Sequence, residues 1–409
     1  MRIFKGMKRE MALFFLIISL IALGLGMSDG IFANYFKDAY HIDAATRGFI
    51  EFPRELPGML CMFIITALSS LGDVRLAIIA QVLSCVGLMA LGLLTPPFAV
   101  MLVFLFVNSM GMHLFMPLSD GIGLHIAESP EMAGKHMGQY NGVRTAFGML
   151  AAIVVFVGFR VGWFSFTTNI KWIFLIGSVF FIAALVLLLR LKRVMGNDTK
   201  SAKIKLLLRK EYRFFYILAL MNGVQKQVVH VYAPWVLIDL LGKGADTMAL
   251  LSIAGSFIGI FFIPMMGRLT DRLGPKVMLF AEALAYITVN LLYVVTSGAL
   301  HTGRLSAVGW VGIAIMALFI INRMTTQLAL VRVVYLNRIA APNEVTRTLS
   351  TGVSMDHVVS ITCAFLGGLA WQAWGPQYVF LIAAILSLIN LCVAFCVPRK
   401  ADLAGMARE

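Results

Sequence analysis

Charge is what this sequence has least of. Only 13% of its 409 residues are Asp, Glu, Lys or Arg, against about a quarter in ordinary soluble chains. That shortage argues against a soluble globular protein. No G-x-x-x-x-G-K-[ST] loop occurs, so ATP is not indicated as an energy source. The glycines of GLGMSDG, from Gly24, sit inside an apolar run with no strand before them and read as close helix packing. No H-E-x-x-H occurs, which argues against an intramembrane hydrolase, and the loops are too short for a signalling domain. Cys61, Cys85, Cys363, Cys392 and Cys396 have no C-x-x-C spacing and all fall in apolar runs. Neither a disulfide framework nor a metal centre is implied. A cleavable leader is not expected either, because the run from Met11 to about Phe36 is too long and no small-residue cleavage site follows it.

What the chain does have is apolar length. Hydrophobic residues make up 60% of it, and runs near 20 residues, each enough to cross about 30 Å of hydrocarbon as a helix, recur throughout. The period-2 pattern of a barrel is missing, so the spans must be helical. An all-α polytopic membrane protein with twelve transmembrane helices is expected. The spans lie at roughly 11–36, 46–69, 75–95, 98–125, 137–160, 172–190, 212–240, 247–267, 276–297, 306–335, 346–373 and 377–397. The net charge is +14, and most Lys and Arg fall in the termini and alternate loops. The positive-inside rule then predicts a multi-pass protein of the inner (cytoplasmic) membrane with both termini cytoplasmic. The surplus faces anionic lipid headgroups and not nucleic acid. Asn197 heads a formal N-x-T sequon in a loop predicted to be cytoplasmic, so it is expected to be unmodified.

One long basic connection, RLKRVMGNDTKSAKIKLLLRKEYR, divides the spans six and six. It predicts an N-terminal bundle over 1–190, a cytoplasmic linker over 191–211 and a C-terminal bundle over 212–409. Part of the linker suits a basic amphipathic helix on the membrane surface. The halves echo one another: FFLIISL from Phe14 matches FFYILAL from Phe214, and SPEMAGKHMGQYNGVRT from Ser129 matches APNEVTRTLSTGVSMDH from Ala341. Repeats of this kind build many transporters.

The most specific motif is GRLTDRLGPK, residues 267–276, with Gly267, Asp271, Arg272 and Gly274 in a G-x-x-x-D-R-x-G loop. On it, and over nearly the whole chain, the sequence resembles the major facilitator superfamily. The equivalent loop of the first half, SSLGDVR, keeps Asp73 but has Ser69 for the glycine and lacks the Arg-x-Gly. The resemblance implies the MFS fold, with two pseudo-symmetric six-helix bundles, and alternating access around a central site. It also implies an ion gradient as the drive and a gating role for the loop motif, in which glycine permits a tight turn and close packing.

Ionisable groups inside spans are functional-site hypotheses by default. In EFPRELPG, residues 51–58, Glu51, Arg54 and Glu55 share a helix face at the level of Asp29 on the first span. Two carboxylates and one guanidinium opposite Asp29 leave charge unbalanced, which suits proton coupling. An acidic residue at this depth of the first span is also a recurrent coupling position in the superfamily. The competing reading is an ion-pair latch between two helices. Pro53 and Pro57 are expected to break the helix and free carbonyls beside these charges. Asp120 and Arg144 form a possible second pair, and Arg144 alternatively forks an anionic substrate. His113 reads as a satisfied core residue.

A midplane cluster is expected in the second half. It comprises Asn222, Gln225, Lys226, Gln227 and His230 on span seven, Asn322 and Arg323 on span ten, and Asp356 and His357 on span eleven. By the repeat alignment Arg144 and Asp356 fall on equivalent positions. The reading is a proton-coupled secondary transporter moving a small polar, anionic or zwitterionic, organic solute, with sodium as the alternative ion. The chain is not read as an enzyme. No cofactor or metal is expected, and the protein is read as a monomer. The 24 Met and 30 Phe favour a rival, a proton-antiporting exporter of drugs or amphipaths. A metal-ion carrier using Asp29, Asp356 and scattered histidines ranks third.

Overall fold

The computed structural model describes residues 8–126, 130–196, 207–341 and 344–397, and among them every regular element is helical. Asn197, the linker over 197–206, and the repeat positions Ser129 and Pro342 lie outside the described residues. In chain order the first half holds α1 (Arg9–Gly26), a 3-10 turn (Asp29–Ile31), α2 (Phe32–Tyr40), α3 (Ala44–Ala67), α4 (Asp73–Leu93), α5 (Phe98–Ile126), α6 (Pro130–Arg160) and α7 (Trp172–Met195). The second half begins with α8 (Arg213–Gln227), which continues through π turns (Val228–Tyr232, Val236–Leu240) around α9 (Ala233–Trp235). Then come α10 (Ala245–Leu273), α11 (Pro275–His301), α12 (Trp310–Gln327), α13 (Leu330–Ile339), α14 (Val345–Trp374) and α15 (Pro376–Cys396).

Ten helical stretches are long and apolar enough to cross a membrane. The two other expected segments are helical too. α3 is long enough but carries its charges, and α8, with 15 residues, is short before its π turns begin. Each expected span therefore has a helical counterpart. Large side chains such as Phe261, Val295, Trp310 and Phe395 are exposed, as the lipid-facing surface of a membrane protein requires.

By packing, the chain forms two compact units. One comprises Met1–His41, Pro53–Ile204 and Ala245–Ile253; the other comprises Ile42–Phe52, Lys205–Gly244 and Ala254–Glu409. In the first, an aromatic cluster of Phe32, Tyr35, Phe36, Phe166 and Phe174 closes one end, with the Tyr35 and Phe174 rings 5.1 Å apart. Beside α7, Lys171 donates its backbone N–H to the Gly92 carbonyl at 2.7 Å and its ammonium to Thr95. Burial pushes that ammonium below the usual lysine range. In the second unit Tyr212, Phe215, Leu218, Leu279, Val331 and Leu336 form the core where α8, α11 and α13 meet.

Three expectations change here. α3 runs unbroken from Ala44 to Ala67 with Pro53 and Pro57 inside it. Each proline removes one amide, and the turns around it keep their own ladder, so the helix survives. Gly267 is helical, inside α10, and a Cβ there would meet nothing within 4 Å. It makes neither a turn nor a close contact. The turn belongs to Gly274, at φ 84° and ψ 159°, directly before α11. Gly72, before α4, has φ 86° and ψ 156°. The two halves thus share one glycine-dependent turn, although the first lacks most of the motif.

Candidate functional site

In the first unit the Arg54 guanidinium donates to the Asp29 carboxylate at 2.8 Å, with Asp29 half-exposed and Arg54 largely covered. The guanidinium carbon also lies 5.9 Å from the Phe32 ring centroid, within cation–π range. Ser109 on α5 donates its hydroxyl to the Arg54 carbonyl. His113, one turn on, places Nδ1 2.9 Å from the Ser109 carbonyl. Glu55 is buried, and a carboxylate oxygen lies within 4.8 Å of a His113 ring nitrogen. Asp29, Arg54, Glu55, Ser109 and His113 thus form one polar cluster on three helical elements.

Glu51 has its own ion-pair partner. It accepts a 2.6 Å bond from Arg47 one turn earlier on α3, and both side chains are 1% exposed. On α3, Arg54 thus pairs with Asp29 while Glu51 pairs with Arg47. Arg47, which the sequence reading does not single out, is buried as the partner of Glu51.

Arg144 on α6 lies 3.9 Å from Asp120 and donates to the Ser119 hydroxyl at 3.3 Å; both charged groups are well exposed. Asp73, at the start of α4, is buried, and Asp271 and Arg272 stand exposed in the last turn of α10. Lys276, two residues past the Gly274 turn, donates to the Phe395 and Val397 carbonyls at 2.8 Å, the favourable place for a cation at a helix C-terminus.

The second unit carries a longer chain of contacts. Asp356 on α14 accepts from Asn222 on α8 at 2.9 Å and lies 3.8 Å from the Lys226 ammonium. Lys226 in turn is 3.4 Å from Nδ1 of His357. On the other side, Arg332 on α13 donates to Asn222 Oδ1 at 2.7 Å and to the Leu218 carbonyl at 2.9 Å. It also faces Glu282 of α11 at 3.7 Å. The order Glu282, Arg332, Asn222, Asp356, Lys226, His357 alternates charge and neutralises itself. Protonating Asp356, or placing an anion beside Lys226, would unbalance it; that is what the arrangement can do chemically.

Gln225 is buried, and its amide atoms have no hydrogen-bond partner among the described residues. Asn322 is buried on α12, and Arg323 lies half-buried beside Gly255 of α10. His230 is exposed in a π turn. Sequence reasoning missed Glu282 and Arg332. Glu282 gives a usable signal, a carboxylate seven residues into an apolar run, whereas Arg332 is masked by the basic loop that follows it.

Membrane-length helices that hold ionisable side chains along their length define a multi-pass helical membrane protein. The chain belongs to the Major Facilitator Superfamily, whose sequence profile matches residues 14–333. No curated protein matches it significantly. Among solved structures it is similar to a mutant of the nucleoside transporter NupG, at 13% identity and TM-score 0.74, over 95% of this chain and 99% of that one. It is similar also to a D-xylose-proton symporter, at 14% identity and TM-score 0.65, over 95% and 97% of the two chains. A POT family transporter solved with 5-aminolevulinic acid matches at 12% identity and TM-score 0.70, over 95% and 96%. At such identities these likenesses show the fold alone.

Proposed function

We propose that the protein is a proton-coupled secondary transporter of a small polar solute bearing an anionic group, working by alternating access. It would lie in the cytoplasmic membrane as a monomer with both termini on the cytoplasmic side, as its distribution of Lys and Arg favours. The observation that carries the reading is the Lys226–Asp356 pair, loose at 3.8 Å within a charge-balanced chain, with Lys226 partly accessible. A substrate anion can take Lys226 from Asp356, and the released carboxylate can take a proton, so the two events are coupled by charge balance. Asp29, half-exposed and paired with Arg54, suits a second proton step. Glu51, whose ion pair with Arg47 lies within α3, is left out of the coupling step.

The test is reconstitution in liposomes with a trapped pH dye, screening solute classes for solute-driven proton flux. Asp356→Asn and Lys226→Ala are expected to abolish the flux, and Asp29→Asn to reduce it at least about tenfold. Flux that persists in Asp356→Asn would sink the coupling assignment.

A second reading, export of amphipathic compounds, has one observation in its favour. A cavity of about 450 Å³ in the second unit is lined almost wholly by apolar side chains of α8, α14 and α15, with Gln227 as its one amide. That volume suits a drug-sized molecule. Proton flux driven by hydrophobic cations and not by carboxylates would favour this reading.

A further inference from the structure

A smaller cavity, of about 130 Å³, lies inside the first unit between α1, α4, α5, α6 and α7. Most of its wall is apolar, including Ile18, Leu25, Phe115 and Phe181, but three polar side chains also line it: Gln81, Ser84 and Arg144. Gln81 and Ser84 are one helical turn apart on α4 and each is 1% exposed. Gln81 Oε1 and Ser84 Oγ have no hydrogen-bond partner among the described residues. A buried polar atom left unpaired is destabilising, so these two atoms mark a place where a ligand can supply what the fold does not.

The third group decides the ligand's charge. Arg144 has five N–H donors; the structure shows one directed to Ser119, with Asp120 at a long 3.9 Å and half-exposed to solvent. A carboxylate held so loosely leaves the guanidinium fork available to another anion. Ser84 Oγ adds a second donor. Gln81 Oε1 is an acceptor and asks for the opposite, an N–H or O–H on the ligand. A plain carboxylate satisfies Arg144 and Ser84 but leaves Gln81 stranded. A carboxylate with a hydroxyl or amino group on its α-carbon satisfies all three. The volume agrees, since pockets for drug-sized molecules begin near 300 Å³ and this one holds only a head of a few heavy atoms. Met116, 57% exposed, stands at its edge, where the rest of a larger solute would continue.

We propose that Gln81, Ser84 and Arg144 form a recognition pocket for the head group of α-hydroxy- or α-amino-carboxylates. The proposal deepens the reading of the chain as a transporter of anionic or zwitterionic solutes, and rests on it for the pocket's purpose. Neither Gln81 nor Ser84 carries a charge, so nothing in the sequence singles them out.

The test uses the purified full-length protein and four probes: L-lactate, glycine, acetate and lactamide. Binding is read from the shift of the thermal unfolding curve with probe concentration. Lactate and glycine are expected to bind at least about tenfold more tightly than acetate, a factor equal to about 1.4 kcal/mol. Lactamide, which has no charge for Arg144, should give no shift. Gln81→Leu should erase the advantage of lactate over acetate while keeping acetate binding, and Arg144→Gln should remove both. Should Gln81→Leu fail to fold, Ser84→Ala is expected to weaken lactate and acetate alike. Equal affinity for lactate and acetate, a shift with lactamide, or undiminished binding in Arg144→Gln would each overturn the pocket. Solute-driven proton flux that needs Lys226 but tolerates Arg144→Gln would overturn the pocket and leave the transport reading standing. Intact discrimination among the probes without flux for any solute would do the reverse.

Discussion

Removing Arg332 would strand two groups at once, Glu282 and Asn222 Oδ1, and take a second donor from the Leu218 carbonyl. Glu282 and Arg332 are 2% and 7% exposed, and breaking a buried pair from one side costs about 3–5 kcal/mol, because the other charge stays behind unpaired. Arg332→Ala is therefore expected to lower the thermal midpoint steeply, while Glu282→Leu combined with Arg332→Met recovers most of the loss. Equal melting of Arg332→Ala and the intact protein would show that the pair bears no load. Asp29 and Arg54 behave oppositely. Asp29 is half-exposed, and exposed pairs contribute roughly 0–1 kcal/mol, so Asp29→Asn should leave the melting curve nearly unchanged. Any loss of flux in that variant is then functional and not a folding defect. Asp29, Arg54, Arg144, Lys226 and Asp356 were legible in the sequence because a charge in an apolar run is conspicuous. Arg332 was not, since it sits near a span end, where basic residues are ordinary. Which carboxylate faces which cation was also hidden: Glu51 and Glu55 are one turn apart, and only the packing shows that Glu51 turns to Arg47.

At the scale of the element, the spans could be read from apolar length, and each has a helical counterpart in the structure. Their interiors could not. Two prolines read as a break, yet α3 continues through them. The π turns of Val228–Tyr232 and Val236–Leu240 stand on either side of Pro234, and apolar length alone does not reveal them. α3 also shows how a close crossing is built. A Cβ on Gly48 would stand 2.2 Å from the Ala364 carbonyl oxygen, and one on Gly368 2.7 Å from that of Ala44. Both contacts are with backbone, which cannot rotate aside. Gly48→Ala or Gly368→Ala must therefore push α3 and α14 apart, and overpacking of this kind costs about 1–3 kcal/mol. A fall in the melting midpoint is expected for each, with a smaller added loss in the double variant because one displacement relieves both clashes. Fully additive losses would mean that the two glycines do not serve one crossing.

For the molecule as a whole, the family and the all-helical architecture follow from apolar runs, a charge bias and one loop motif, because those features are set by the bilayer and repeat along the chain. The grouping of segments into compact units is not, since it depends on contacts between residues far apart in sequence. The basic linker marks a six-and-six division, yet each compact unit includes a segment from the other side of it: Ala245–Ile253 in the first, Ile42–Phe52 in the second. The contacts of these segments are specific. Asp246 lies 3.5 Å from Arg160 within the first unit. In the second, Asp43 accepts from Gln372 at 3.0 Å, close in sequence to the Gly48 crossing. A chain cut inside 197–206 tests whether these segments matter. Fragments 1–196 and 207–409, co-expressed with a tag on one only, are expected to co-purify and to melt close to the intact protein. Fragment 1–196 alone keeps Ile42–Phe52 without α14 and lacks Ala245–Ile253, so its backbone crossing and the partner of Arg160 are both lost. Burial lost on that scale costs at least about 1 kcal/mol, which for a fragment of this size lowers the midpoint by about 2–4 °C or more. If the fragment purifies alone as a monomer with the midpoint it has in the pair, the segments add nothing. The six-and-six division would then be the unit of stability as well as of sequence.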